Sequence, residues 1–499
     1  MTDYRKYRLL EMIPGMLIWS TFIIAFTLSI FLPVWAIYFI IVFDLFWLIR
    51  ISYMLSYIYL GYRRYRRDIK IDWFQKCEEL PDWRTFYHLI FIPTYKEPYE
   101  VLRETFEGLT KSSFPMDRLI VVLAGEERDR ERFNEIAQKL KGEYESVFFD
   151  FIITIHPSGK PGVMPGKGSN IAWAGRRSKE LIDQLGIPYE KVIVSSFDSD
   201  TVVHPQFFSH LTYKYSTHPN PTRASFQPIP LFNNNVWETH AFSRVVSYST
   251  TFWLMSEQLR PERMSTFSSH SMSFKALVDV GFWQEDIVTE DSRIGLQCLM
   301  HYDGEYSVEP LYVPISMDIV SGGSIWETIK SQYRQQRRWA YGLENFPWMV
   351  WNFGINKKMA FMTKFRYIWN QLEGVYSWAT APILIFVVGR LPLWIANRQE
   401  DVASIAQNAP HILQWLMTAA MVGIIASAVL GATLLPPRPY GESRWRYLLM
   451  IFQWVLMPVT LIFFGSIPAT ESATRLMLGK YLGFDVTRKM RKGSIIPHK

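Results

Sequence analysis

Cysteine is scarce: Cys77 and Cys298 are the only thiols in 499 residues. Two cysteines allow one bridge at most and exclude a CxxC redox motif, a zinc pattern and a disulfide framework. They suit a main domain kept in a reducing compartment. Charge is sparse as well, at 20% of residues against 49% hydrophobic and 16% aromatic. No internal repeat or low-complexity tract is present, and the GxxxxGK[ST] spacing of a P-loop is missing. No module of interleaved basic and stacking aromatic residues stands out, so nucleic acid is not an expected partner. The net charge of +7 sits in short clusters beside apolar runs, which points to membrane lipids and phosphate.

What is present is segregated. A mean hydropathy of zero averages greasy ends with a charged middle. Residues 13–32, "IPGMLIWSTFIIAFTLSIFL", carry no charge over the length a bilayer core demands. A cleavable signal peptide fits poorly, because a second apolar run, 34–60, follows at once. Asp44 and Arg50 interrupt it; Asp44 is expected to face other helices and Arg50 to snorkel. Arg5, Lys6 and Arg8 precede the pair and "RRYRR" at 63–67 follows it, so both flanks are expected in the cytoplasm. Three more apolar runs lie at 374–396, 411–435 and 446–467. The polar "NRQEDVASIAQN" between the first two is expected outside, and the basic "RPYGESRWR" inside. The basic tail "VTRKMRK" conflicts with two plus three spans. Three resolutions stay open: the last run is re-entrant around Pro458, a further pass is hidden, or the tail lies outside.

The middle of the chain follows another pattern. Between 88 and about 315 the short apolar runs "LIFIP", "RLIVVLA", "FFDFIITIH" and "KVIVSSFD" alternate with charged helical stretches, the βαβ signature of a largely parallel sheet. "FDSDT" ends the fourth run, and carboxylates at i, i+2 there project into the crevice where open α/β sheets bind ligands. Asp198 and Asp200 could share a Mg²⁺ or Mn²⁺ ion that also takes diphosphate oxygens. A solvated turn is the plainer account of the same residues. "FIPTYKEP" sets Thr94, Tyr95 and Glu97 on the rim of the same crevice. "GKGSNIAWA" sets Lys167 and backbone amides before a helix, a phosphate-friendly arrangement. "VTEDSRIG" starts a helix with Glu290 and Asp291 in its first turn. Capping alone explains acids there; near a diphosphate either could instead take a proton from an attacking hydroxyl, and nothing local separates them.

These pieces resemble, in this order, the membrane-bound family 2 glycosyltransferases, with cellulose, chitin and hyaluronan synthases nearest by motif. "PTYKE" is similar to their PTYNE, "DSD" to their DxD, and "TED" to their TED; Gln335, Arg338 and Trp339 match QxxRW. The resemblance implies an α/β GT-A-like (Rossmann-like) cytoplasmic domain plus an α-helical transmembrane region. It implies a nucleotide-sugar donor, a UDP-sugar by analogy, held by Thr94, Tyr95, Glu97, Lys167, Asp198 and Asp200. Asp291 becomes the base for inverting transfer, with Glu290 beside it. "SMSFKALVDVGFWQED" resembles the segment that lines the acceptor pocket. In this setting Arg338 pairs with diphosphate, Gln335 offers hydrogen bonds, and Trp339 a face for a sugar ring. Arg334 and Arg337 are expected at lipid headgroups. The second strand departs from the family, with Leu123 and Ala124 where an acidic pair belongs, so Glu126 or Glu127 is expected to substitute. "FSSHSMSF" also lacks the usual small, Gly-containing run.

The expected organisation is a transmembrane hairpin at 1–60, a linker at 61–84, and a glycosyltransferase domain at 85–320. Interfacial helices with QxxRW at 321–366, a transmembrane region at 367–480 and a basic tail at 481–499 complete it. The expected activity is processive, metal-dependent polysaccharide synthesis at the cytoplasmic membrane. The alternatives are sugar transfer to a lipid acceptor and, in another class, a nucleotide-binding transporter or scaffold.

Overall fold

The computed structural model describes residues 3–396, 404–440 and 443–483; the tail motif "VTRKMRK" and part of each C-terminal loop lie outside them. The four expected strands form: β1 (Tyr87–Pro93), β2 (Leu119–Glu126), β3 (Asp150–His156) and β4 (Val192–Ser196). They pair in parallel in the order β3-β2-β1-β4, with Ile90 opposite Val121 and Leu89 opposite Val194. The apolar residues of these strands alternate between two cores. Ile90, Ile92, Val121, Leu123 and Ile193 enter one; Leu89, Phe91, Val122 and Val194 enter the other. Period-two alternation with both faces covered explains why these runs read as continuously hydrophobic.

Beyond β4 the sheet is mixed, through β5 (Val202–Val203), β6 (Ala224–Phe232), β7 (His270–Ser273) and β8 (Ser307–Met317). The described residues give eight strands in the order β3-β2-β1-β4-β7-β6-β8-β5. β7 is antiparallel to both β4 and β6, and β6 runs parallel to β8 across a register shift between Pro228 and Pro230.

The helices that matter below are, in chain order, α1 (Asp3–Phe31), α2 (Pro33–Asp68), α3 (Lys167–Leu185), α4 (Ala241–Glu257), α5 (Glu290–His301) and α6 (Ile325–Ala340). After them come α7 (Asn345–Ile355), α8 (Phe361–Phe386), α9 (Ser404–Thr433), α10 (Trp445–Phe452) and α11 (Ile467–Met477). Among the described residues, five stretches are long and apolar enough to cross a membrane: α1, α2, Phe361–Ala396, Gln407–Thr433 and Trp445–Met477. α2 continues through "RRYRR" to Asp68, inside the expected linker. Asp44 is buried, as expected. Arg50 pairs with Glu373 of α8 and lies over Trp47. Cys77 and Cys298 are both free and buried.

Candidate functional site

The carboxyl ends of β1, β2 and β4 open into one crevice, as parallel α/β topology dictates. At the end of β4, Asp198 is held from three directions. Its amide donates to Ser269 Oγ at 3.0 Å, Lys167 Nζ lies 2.6 Å from Oδ1, and Ser268 Oγ donates to Oδ2 at 2.6 Å. Lys167 opens α3 and also reaches the Ser268 carbonyl, at 3.0 Å. Gly168 follows, and a Cβ there would meet Glu290 Cβ at 2.9 Å, so glycine lets α3 and α5 meet at their first turns.

Asp291 faces the same segment. Its Oδ1 accepts from the Ser292 amide and its Oδ2 from the Ser268 amide, both at 2.8 Å, while Thr266 Oγ1 donates to its carbonyl at 2.5 Å. Ser268 therefore touches Lys167, Asp198 and Asp291, with φ at 50°, in the left-handed region. Glu290, one residue away, is 3% exposed. Burial first, then repulsion from Asp291, pushes its carboxyl up to about 8, against the pull of Lys167 and Arg338. Burial alone would depress the Lys167 ammonium, yet Asp198, Glu290 and Asp291 hold it above its ordinary value. The two acids that were equivalent in sequence are thus distinct in place: Glu290 sealed, Asp291 half-buried.

Asp200 lies deeper. It is fully buried, and its Oδ2 accepts from the Asp318 amide at 2.7 Å, anchoring the chain beyond β8. Of the DSD pair, Asp198 is the carboxylate that meets the crevice. No group of three or more His, Cys, Asp or Glu residues able to hold a metal occurs among the described residues. Asp198 offers one hard oxygen donor that would suit Mg²⁺ or Mn²⁺.

The first turn after β1 is tied by Glu97, whose Oε2 accepts from Thr94 Oγ1 at 2.8 Å and from the Tyr95 amide at 2.6 Å. Glu126, the last residue of β2, is buried and grips Arg128 bidentately at 2.6 and 3.0 Å. Burial raises its carboxyl and Arg128 opposes that shift. The Arg128 guanidinium sits 3.8 Å from the centre of the Tyr95 ring. Glu127 points elsewhere, accepting from the exposed Ser158 amide at 2.7 Å. Ala124 contributes its carbonyl, which accepts from Asn170 Nδ2 and from the Thr94 amide, each at 2.8 Å.

Gln335, Arg338 and Trp339 all lie on α6. Trp339 meets Phe267 edge-to-face, ring centres 5.4 Å apart, one residue from Ser268. Gln335 is buried and accepts from Gln332 at 3.2 Å. Arg337 pairs with Glu471 of α11 at 2.9 Å, and Glu471 also accepts from Tyr333 at 2.6 Å. Arg334 is exposed. Phe267, Ser268 and Arg128 were missed in sequence; the signal that stood nearest was the altered run "FSSHSMSF", where serine holds a backbone angle that favours glycine.

The model of the family described as glycosyl transferase family group 2 matches residues 193–470, more than half of the chain. The chain belongs to that family. It is a glycosyltransferase, with an α/β domain and a region of long apolar helices. Among solved structures it is similar to the mannosyltransferase PcManGT from Pyrobaculum calidifontis in complex with GDP-Man and Mn²⁺. That match has a TM-score of 0.45 at 14% identity, over 79% of this chain and 98% of that one. It is also similar to S. aureus TarS 1-349 in complex with UDP-GlcNAc, with a TM-score of 0.37 at 13% identity, over 80% and 94%. No curated protein matches.

Proposed function

We propose that this glycosyltransferase moves a sugar, with inversion, from a nucleoside-diphosphate sugar to the hydroxyl end of a growing polysaccharide at the cytoplasmic face of a membrane. The carrying observation is the Ser268 bridge between Asp198, Lys167 and Asp291, with Trp339 against the neighbouring Phe267. In this reading Thr94, Tyr95, Glu97 and Glu126 hold the nucleoside end of the donor, a UDP-sugar by analogy. Lys167 and Arg338 take the diphosphate charge, with Arg338 suited to bidentate pairing. Gln335 and Trp339 present a polar edge and a flat face to the acceptor ring. The acceptor oxygen attacks the anomeric carbon as Asp291 takes its proton; the bond from that carbon to the diphosphate oxygen breaks, and the nucleoside diphosphate leaves. Glu290, raised to about 8, is protonated at neutral pH and leaves the base role to Asp291. Asp198, rather than the inward Asp200, is the side chain that would hold Mg²⁺ or Mn²⁺, whose chemistry is to neutralise the departing diphosphate.

A second reading, transfer to a lipid, is favoured by a groove of about 970 Å³ between α1, α8 and α11. Trp19, Phe22, Phe26 and Ile383 line it, with Glu471, its partner Arg475 and Lys480 among its polar residues. An apolar slot with cations suits a hydrocarbon chain carrying an anionic head.

The test is incubation of the full-length protein in membranes with a panel of nucleotide sugars and Mg²⁺ or Mn²⁺. An aqueous product that lengthens with time supports elongation; an organic-extractable single-sugar adduct supports the lipid reading. Asp291→Asn is expected to lower transfer by at least about 100-fold. Transfer unchanged by that substitution refutes the assignment of the base.

A further inference from the structure

The last apolar run, Trp445–Met477, has the length and composition of a membrane span. Its contacts contradict that role. Near its start, Arg446 donates to the Trp237 carbonyl at 2.8 Å and Tyr447 packs on the Trp237 ring. Farther on, Gln453 accepts from Arg244 of α4 at 2.7 Å and Trp454 stacks on Phe252 of α4 at 5.5 Å. Phe464 stacks on Phe242 at 5.4 Å, and Glu471 holds Tyr333 and Arg337 of α6. At its end, the Leu476 and Met477 carbonyls accept from Arg8, at 3.0 and 2.8 Å. Arg8 belongs to the end of α1 that packs on the catalytic side, where Tyr7 meets Trp351 of α7.

A helix that crosses a bilayer leaves its far end about 30 Å from its near end along the membrane normal. Here the beginning, middle and end all touch elements of the catalytic side. Along α8, Ser466 donates to the Trp378 carbonyl at 3.0 Å. Trp378 lies five residues beyond Glu373, which pairs with Arg263 at 2.9 Å, so that depth is about 8 Å along α8.

The outward face of the run is apolar. Trp445, Leu449, Phe452, Val455, Val459 and Phe463 recur every three or four residues and are 52–72% exposed. Met450, Gln453, Trp454 and Thr460 turn inward and are buried. Exposed Arg444 stands at the start, where a cation reaches phosphate. Pro458, the π turn Leu461–Ser466 and Pro468 depart from the regular α-helical pattern within the run.

We infer that Trp445–Met477 is not a fifth span but an in-plane strap, with its apolar face in the lipid of the catalytic-side leaflet and its inner face on α4 and α6. The chain then crosses the bilayer four times, and residues 440 and 480 lie on the same side as the catalytic domain. An in-plane amphipathic helix buries its apolar face roughly 5–10 Å into the headgroup and acyl boundary. This inference concerns placement alone and does not depend on which acceptor is used.

The experiment uses the full-length protein in sealed liposomes. Single cysteines at Leu449, Val455 and Phe463 carry spin labels, with Val422 of α9 as the deep reference; the buried native thiols stay in place. Accessibility to oxygen and to a nickel chelate is expected to put the three labels within about 5 Å of one another in depth, all shallower than Val422. Separately, Tyr440→Cys, Lys480→Cys and, in the catalytic domain, Lys139→Cys are expected to react with an impermeant thiol reagent from one and the same side. Labels whose depth advances steadily from Leu449 to Phe463 past Val422, or cysteines at 440 and 480 that react from opposite sides, overturn the inference.

Discussion

Ser268 shows what one side chain does in this site. Its hydroxyl orients Asp198 and its amide orients Asp291, so the two functions can be separated by substitution. Ser268→Ala removes the hydroxyl and leaves the amide. A hydrogen bond to a charged group is worth about 1.5–3 kcal/mol, so a roughly 10- to 100-fold loss of kcat/KM is expected from steady-state kinetics. Ser268→Gly should lose the same hydroxyl while relieving the left-handed backbone, and so fold at least as well in a thermal melt. Glu290 gives a pH signature. Its folded-state carboxyl sits at about 8 against an ordinary 4.5, so between those values the folded chain holds a proton that the unfolded chain gives up. That contribution to stability is full below about pH 4.5 and is lost as the pH rises through 8. Glu290→Gln is therefore expected to flatten the fall in Tm between about pH 4.5 and pH 8, measured in detergent. Asp198, Asp291 and Trp339 could be singled out in the sequence because each stands in a short motif. Ser268 was not, since its role comes from contacts with residues more than 20 positions away and from a backbone angle that no pattern encodes.

At the scale of elements, β1 to β4 were readable because each is buried on both faces and closed by a turn. β6 was not: "ASFQPIPLF" carries Pro228 and Pro230, residues that remove ladder donors and argue against a strand. The register shift between them accommodates the loss. α6 was expected to lie at an interface, and its tie to α11 through Glu471 was invisible, since the partners are 134 and 138 residues apart. That tie positions the helix bearing Trp339. Glu471→Ala should free α6 from α11 and lower kcat by about tenfold, the cost of one charged hydrogen bond, while donor affinity measured by titration stays near wild type. Glu471→Gln, which still accepts from Tyr333, should recover part of the loss. Equal loss in both variants, or loss of donor binding, would remove the positioning role.

For the whole molecule, hydropathy located five apolar runs and could not tell a span from a strap, because composition records greasiness and not direction. Packing records direction. The core cluster that contains Ile90, Val121 and Ile193 of the sheet also contains Ala428 and Leu434 at the end of the fourth run and Met450 and Trp454 of the fifth. Catalytic domain and apolar helices therefore share one hydrophobic core, and a shared core unfolds as a unit. Trp454 is its most telling member: 2% exposed, stacked on Phe252, and so close to Gly431 that a Cβ there would meet the indole at 3.2 Å. Trp454→Ala should open a cavity costing about 3–5 kcal/mol. If the core is continuous, tryptic protection of the catalytic domain and of the α9–α10 region will fall together on heating in lipid nanodiscs, at one lowered Tm. Two separate transitions, with the catalytic domain unmoved by the substitution, would mean that the strap merely rests on the domain rather than completing it.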